Sequence, residues 1–250
     1  MHPYRHNLNL RLLPVTLVLL LAVASGSFAR NADIDSKPFT GGMVTARADG
    51  MITWSDAGGN ALDSVRLKID IAGIDVRDDR VLAVSADGTV MSVERGGRSR
   101  RLCRSRISGG HDRVVGIAST LNNTLILTRG GVIMSTVDFD TFTTLDFNGT
   151  YYSYYQETLF CSISASDNSF CIAGTYPDGM PAVFTSATGK IWSERSLTYT
   201  QGGDTYMLEQ QPVRLSYDRS HDRFVMLCSD GWVFYMPGCS HCNSLEHTGN

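Results

Sequence analysis

After residue 30 the apolar positions fall in short runs rich in Val, Ile, Leu, Phe and Thr, each bounded by Asp, Asn or Gly. No stretch there sustains a 3.6-residue apolar period, so the pattern predicts strands throughout and very little helix. The punctuation itself recurs. Asp49-Gly50, Asp87-Gly88, Gly130-Gly131, Asp178-Gly179 and Asp230-Gly231 each sit between apolar runs, at intervals of 38, 43, 48 and 52 residues. Such pairs accept the positive φ angles of a two-residue hairpin whose twist matches its strands. A second polar turn precedes four of them, at Asp78-Asp79, Asn122-Asn123, Asp167-Asn168 and His221-Asp222. Each unit therefore reads strand, polar turn, strand, Asp-Gly turn, strand.

Two units, GIDVRDDRVLAVSADGTVMSV from Gly73 and GIASTLNNTLILTRGGVIMSTV from Gly116, align almost without gaps. An antiparallel meander this small cannot bury both faces alone and must stack radially on copies of itself. The prediction is an all-β chain forming a β-propeller of five blades, each with three to four antiparallel strands and about 44 residues. The first unit shows no clear leading strand before Met43, so strands from the two chain ends are expected to pair and close the ring. A two-layer sandwich is the alternative, since it also spaces short strands regularly.

The first 29 residues change the picture of where this domain works. A polar start with Arg5 and Arg11 precedes an apolar stretch from Leu12 to Ala24, and Ser27-Phe28-Ala29 fits a signal-peptidase site before Arg30. The run is shorter than the roughly 20 apolar residues of a spanning helix. Residues 1–29 are thus expected to be a cleaved signal peptide and 30–250 a single exported domain, with no stable membrane span after cleavage; an uncleaved anchor is the alternative. Net charge is -3, and the one dense basic run, Arg95 to Arg106, has six arginines and no interleaved aromatic residue. Nucleic-acid binding calls for a broader basic face, and a solvated hairpin is the expectation here.

At the level of motifs the chain resembles the Asp-box, or BNR-repeat, propellers, which include sialidases and non-enzymatic assembly factors. Their box has the form Ser/Thr-x-Asp-x-Gly-x-x-Trp. Thr185, Gly189 and Trp192 keep the hydroxyl, Gly and Trp spacing, with Ala187 in place of the Asp. Asp49 and Trp54 keep the Asp-to-Trp distance, with Arg47 and Met51 at the Ser and Gly positions, while Ser135 to Phe142 matches only at its ends. The resemblance implies a structural turn at these residues and no catalytic role for them.

Candidate chemistry is sparse. The resemblance would imply, for a sialidase, an arginine cluster with a Tyr/Glu pair, but no Arg-Ile-Pro segment occurs. Other glycosidases need two carboxylates facing each other across the substrate, and most carboxylates here are already explained by turns. No catalytic residue is therefore assigned. Six cysteines in an exported chain point to disulfides before metals. Cys161 and Cys171 flank the Asp167-Asn168 turn out of register, since a hairpin there pairs 164 with 171. Cys239-Ser240-His241-Cys242 is the sharpest local motif, and Cys239 with Cys242 is the disulfide candidate. A zinc site lacks two further ligands, so neither metal nor cofactor is expected. Tyr151, Tyr152, Tyr154 and Tyr155 crowd the connection after Phe147, as a possible rim surface for glycan or protein or as a loop packed on the next blade. The expected function is an exported, non-enzymatic binding or scaffold propeller contacting a protein or glycan. A glycan-acting hydrolase with degenerate motifs is the alternative.

Overall fold

The computed structural model describes residues 33–77, 80–104, 112–237 and 244–248. The expected signal peptide, the Asp78-Asp79 turn and the Cys239/Cys242 motif lie outside the described residues. Among the described residues twenty-two strands form five sheets, each built from one contiguous stretch of chain, and one short helix joins two of them. Blade one holds β1 (Asp33–Phe39), β2 (Gly42–Arg47), β3 (Met51–Asp56) and β4 (Ala61–Arg66). Blade two holds β5 (Ile71–Arg77), β6 (Arg80–Ser85), β7 (Thr89–Glu94) and β8 (Ser99–Arg104). Blade three holds β9 (Val114–Ser119), β10 (Thr124–Thr128), β11 (Val132–Thr136) and β12 (Thr143–Asp146), followed by α1 (Phe147–Tyr151). Blade four holds β13 (Leu159–Ala165), β14 (Phe170–Thr175), β15 (Pro181–Ser186) and β16 (Ser193–Glu194). A hairpin of β17 (Thr198–Gln201) and β18 (Asp204–Met207) then precedes blade five: β19 (Pro212–Asp218), β20 (Arg223–Cys228), β21 (Val233–Pro237) and β22 (Ser244–Thr248).

The first strands of the blades pack around a ring, β1 on β5, β5 on β9, β9 on β13, β13 on β19 and β19 back on β1. The molecule is a five-bladed propeller. Two expectations need correction. A leading strand does precede Met43, namely β1, whose polar DIDSKPF sequence hides it from a search for apolar runs. Consequently, among the described residues, no blade borrows a strand from the other chain end, and closure rests on contacts between blades of at least four strands.

All five recurring Gly pairs occupy the same turn, between the second and third strands. Gly50, Gly88, Gly131, Gly179 and Gly231 have φ between 79° and 92°. Each donates its N–H three residues back, to Arg47, Ser85, Thr128, Tyr176 and Cys228 O respectively. Only the last residue of each turn has positive φ, so these are four-residue turns closed by glycine rather than the two-residue type expected. In the four Asp-Gly copies the Asp carboxylate accepts the N–H two residues on, at Met51, Thr89, Met180 and Trp232. Blade three lacks that Asp, and Asp112 reaches in from the preceding connection to accept Gly130 N at 2.7 Å and the Thr128 hydroxyl.

A second repeat is invisible without register. Every first strand carries one bulge at the same place, with Ile34, Ala72, Val115, Cys161 and Val213 as the extra residues. A bulge bends a strand and increases its twist. The residues just after it, Asp35, Gly73, Gly116, Ser162 and Arg214, mark equivalent positions in the five blades. This explains why two units align on Gly-Ile. A Cβ on Gly73 would stand 2.8 Å from Gly116 Cα, and one on Gly116 would stand 2.8 Å from Ile163 Cγ2.

Apolar layers fill the spaces between blades. Trp54, Ile52 and Val44 of blade one share a cluster with Ile74, Val81 and Val93 of blade two. Leu125, Leu127 and Ile133 of blade three meet Phe160, Phe184 and Trp192 of blade four around Phe147, which lies in the α1 segment. Cys171 and Val183 of blade four join Phe224, Met226 and Phe234 of blade five.

Candidate functional site

The first strand of each blade turns an unpaired edge toward the ring axis, and such an edge needs partners. Side chains of other blades supply them. Asp35 Oδ2 accepts Ile74 N at 2.9 Å, and Ser162 Oγ accepts Leu215 N at 2.9 Å. Both acceptors come from the position after the bulge and serve the next blade. Arg77 donates to Ser119 O, carrying the pattern from blade two to blade three. Arg214 donates to Ile34 O at 3.2 Å, which joins blade five to blade one.

Lys37 occupies the middle of this arrangement. It is 6% exposed. Its ammonium donates to Leu215 O at 2.9 Å and Ile163 O at 3.5 Å and stands 3.7 Å from Asp35 Oδ1. One side chain from blade one thus reaches blades four and five. Beside it, Asp75 is buried next to Arg77, with Asp75 Oδ2 and Arg77 Nε 3.9 Å apart and neither hydrogen-bonded. Burial raises the Asp75 carboxyl above its ordinary range, against the lowering effects of Ser119, Arg77 and Lys37. Reading for motifs missed this network. Its one visible signal is the spacing Asp35-x-Lys37 in a strand that otherwise has few charges.

The tyrosine segment divides. Tyr151 and Tyr155 lean on Phe147, with ring centroids 4.9 and 6.4 Å away. Tyr151 Oη donates to Lys190 O and accepts Trp192 N, and Tyr155 Oη accepts Glu194 N. These two side chains fasten the connection to the outer strand of blade four. Tyr152 and Tyr154 stay 77% and 79% exposed. Among described residues the longest connection between blades is 195–211, which holds the unanticipated β17–β18 hairpin on the outside of blade five.

The box-like residues also separate. In the turn after β15, Ser186 Oγ accepts Thr188 N and Gly189 N, Gly189 has φ 75°, and Trp192 Nε1 donates to Gly189 O. Ser186 performs the hydroxyl's work, one residue past Thr185. The matching turn of blade three uses Thr136 Oγ1 to accept Asp138 N and Phe139 N, with Phe139 at φ 63°. Asp49 belongs to the other class of turn, and Trp54 is a core residue of β3, so that pair is not a copy of the Thr185–Trp192 turn.

Three constellations invite a catalytic reading. Ser220, His221 and Asp218 meet, but Ser220 Oγ and Asp218 Oδ2 both approach His221 Nδ1, at 3.1 and 2.7 Å. A proton relay needs its serine and carboxylate on opposite ring nitrogens. Tyr176 donates to Glu194 Oε1 at 2.6 Å, yet burial and that carboxylate push the phenol far above its usual range, away from nucleophile chemistry. Cys161, Cys171 and Cys228 are free thiols, each held up at about 12 by burial. Cys171 pairs with Ser164, the register expected from the hairpin. Among the described residues no three potential metal ligands converge.

Comparison with known proteins bears on the fold. No protein-family model matches the chain, and no curated protein does. YCF48 from Cyanidioschyzon merolae is 11% identical, with a TM-score of 0.52 over 89% of this chain and 72% of its own. The Cps50 (Swd1) β-propeller domain of Myceliophteria thermophila is 12% identical, with a TM-score of 0.50 over 83% of this chain and 67% of its own. The computationally designed Ika8 protein has a TM-score of 0.46, and this chain spans 54% of its length, a likeness too slight to argue from. At such identities the likeness to YCF48 and the Swd1 domain shows that this chain shares their propeller fold, and shows nothing of a shared activity.

Proposed function

We propose that this chain is an exported, non-enzymatic binding or scaffold propeller that contacts a protein or glycan through its exposed loops. One observation carries the reading: Lys37, Asp35, Ser162 and Arg214, close to the axis where a propeller would hold a substrate, are committed to strand edges of other blades. Lys37 is spent on backbone carbonyls of blades four and five. Exposed Tyr152 and Tyr154 offer flat amphipathic surface at small entropic cost, which suits a binder. Export is proposed from the charged start, apolar stretch and Ser27-Phe28-Ala29 end of the leader. Kinship with the Asp-box propellers is part of the proposal and is supported by the Ser186–Trp192 turn.

The hydrolase alternative has one observation in its favour, the raised carboxyl of Asp75. A panel of polysaccharides and glycosides incubated with the full chain decides between the two. Binding without release of reducing sugar is expected, and Asp75→Asn should leave binding unchanged. Turnover abolished by Asp75→Asn would overturn the proposal. Export is checked separately by expressing the whole chain and sequencing the secreted form, whose first residue should be Arg30.

A further inference from the structure

We infer that the outer edge of blade two is a binding face for an acidic polysaccharide. The inference rests on reading the chain as an exported binder, and it concerns a surface distinct from the tyrosine segment. Arg95, Arg98, Arg100 and Arg101 are all exposed along the turn before β8 and on β8 itself. Among the described residues none of the four lies within ion-pair distance of a carboxylate. Guanidinium groups with free donors pair bidentately with carboxylate or sulfate.

Protecting a free strand edge does not account for the stripe. Charged side chains do discourage edge-to-edge pairing. The other outer strands manage with mixed or acidic residues: β4 has Asp63 and Arg66, β12 has Asp146, β16 has Glu194 and β18 has Asp204. An arginine run free of carboxylates belongs to β8 alone among them.

The surroundings select the class of ligand. An open hollow of about 510 Å³, lined by Leu62, Asp63, Arg95 and Gly96, lies at the turn that leads into β8. It combines an apolar patch, a carboxylate and a cation, which suits the apolar ring face and hydroxyls of a sugar. The residues from Glu94 to Arg104 include no aromatic side chain on which bases could stack. Adding a peptide strand is disfavoured by the bulge between Arg101 and Cys103, which breaks the regular edge. Arg100 pairs opposite Ser92 and Arg101 opposite Met91, so the bulged strand presents neighbouring arginines to opposite sides. That arrangement allows a flexible chain to wrap over the edge.

The test uses the full chain with fluorescent polygalacturonate and dextran sulfate, beside neutral dextran, polyglutamate, poly(dT) and phosphatidylcholine–phosphatidylglycerol vesicles. The two acidic polysaccharides should bind and neutral dextran should not. Arg100→Ser combined with Arg101→Ser should weaken their binding about tenfold and flatten its salt dependence, as two exposed ion pairs predict. Lys190→Ser, which removes one cation from a distant blade, should leave affinity unchanged. Equal binding by the double variant, or stronger binding to poly(dT), polyglutamate or vesicles, overturns the inference. Retained capture of a neutral glycan or a protein by that variant would leave the broader binding function standing, so the two failures can be told apart.

Discussion

A lysine that is almost wholly buried is stable only if its charge is answered, and Lys37 is answered by two carbonyls and Asp35. Lys37→Met removes the ammonium and leaves Asp35 and the Leu215 carbonyl without it. Because the orphaned partners stay buried, the loss should be about 3 kcal/mol, read as a lower urea midpoint. A gain in stability would mean that the lysine is solvated and that the axis is open. Asp138 makes a pH prediction at the same scale. The N–H groups of Thr141 and Asp140, first among several bonds, hold its carboxyl down at about 2, from an ordinary 3.8. A depressed folded pKa contributes stability above the ordinary value, and that contribution fades as pH falls through the depressed one. Asp138→Asn should therefore melt earlier than the parent at pH 7, with the gap closing between about pH 4 and pH 2 in a thermal scan.

Elements are held by close approach as much as by apolar layers. β5 and β9 come together at Gly73 and Gly116, where the obstacle to a Cβ on Gly73 is backbone and the obstacle to one on Gly116 is the Cγ2 methyl of Ile163. Backbone cannot rotate away and a side chain can. Gly73→Ala should thus cost about 2 kcal/mol, as overpacking does, and Gly116→Ala clearly less. Chemical denaturation of the two variants checks the order, and a reversal would mean that the blades sit farther apart. The β17–β18 hairpin is a different case, since its strand pairing with blade five is the short parallel register of Thr198 with Ser244 and Tyr199 with Leu245. Tyr199 also lies on Trp232 and Phe234, which ties one side of the hairpin down.

On the scale of the whole ring, the blades do not join equally. The faces of blade five and blade one that meet are unlike: Val225, Leu227, Val233 and Tyr235 cluster without any described residue of blade one. Alternation along β2 and β3 turns Met43, Thr45, Met51, Thr53 and Ser55 to that side, because Val44, Ala46, Ile52 and Trp54 are packed against blade two. The blade-one side of the junction thus mixes two methionines with hydroxyl side chains, and Lys37 and Arg214 add hydrogen bonds across it. Opening should begin there. In native-state hydrogen exchange the amides of β1 should be the least protected among the five first strands. Slower exchange in β1 than in β9 would show that closure is as strong as the other junctions.

Much of this architecture was legible in the residue order because it is local. Asp-Gly and Gly-Gly turns impose positive φ on single residues, and alternating apolar runs state which segments are strands, so blade count and turn positions follow from chain neighbours alone. The hidden first strand was illegible for the opposite reason: β1 is polar because its side chains serve the axis, and nothing in DIDSKPF announces a partner 178 residues away. The shared bulges depend on register, and the fate of the tyrosines depends on which blade lies beside them. Short-range sterics and patterning thus determined the repeating unit, while burial, register and the meeting of distant edges decided how five units close and which surfaces remain free to bind.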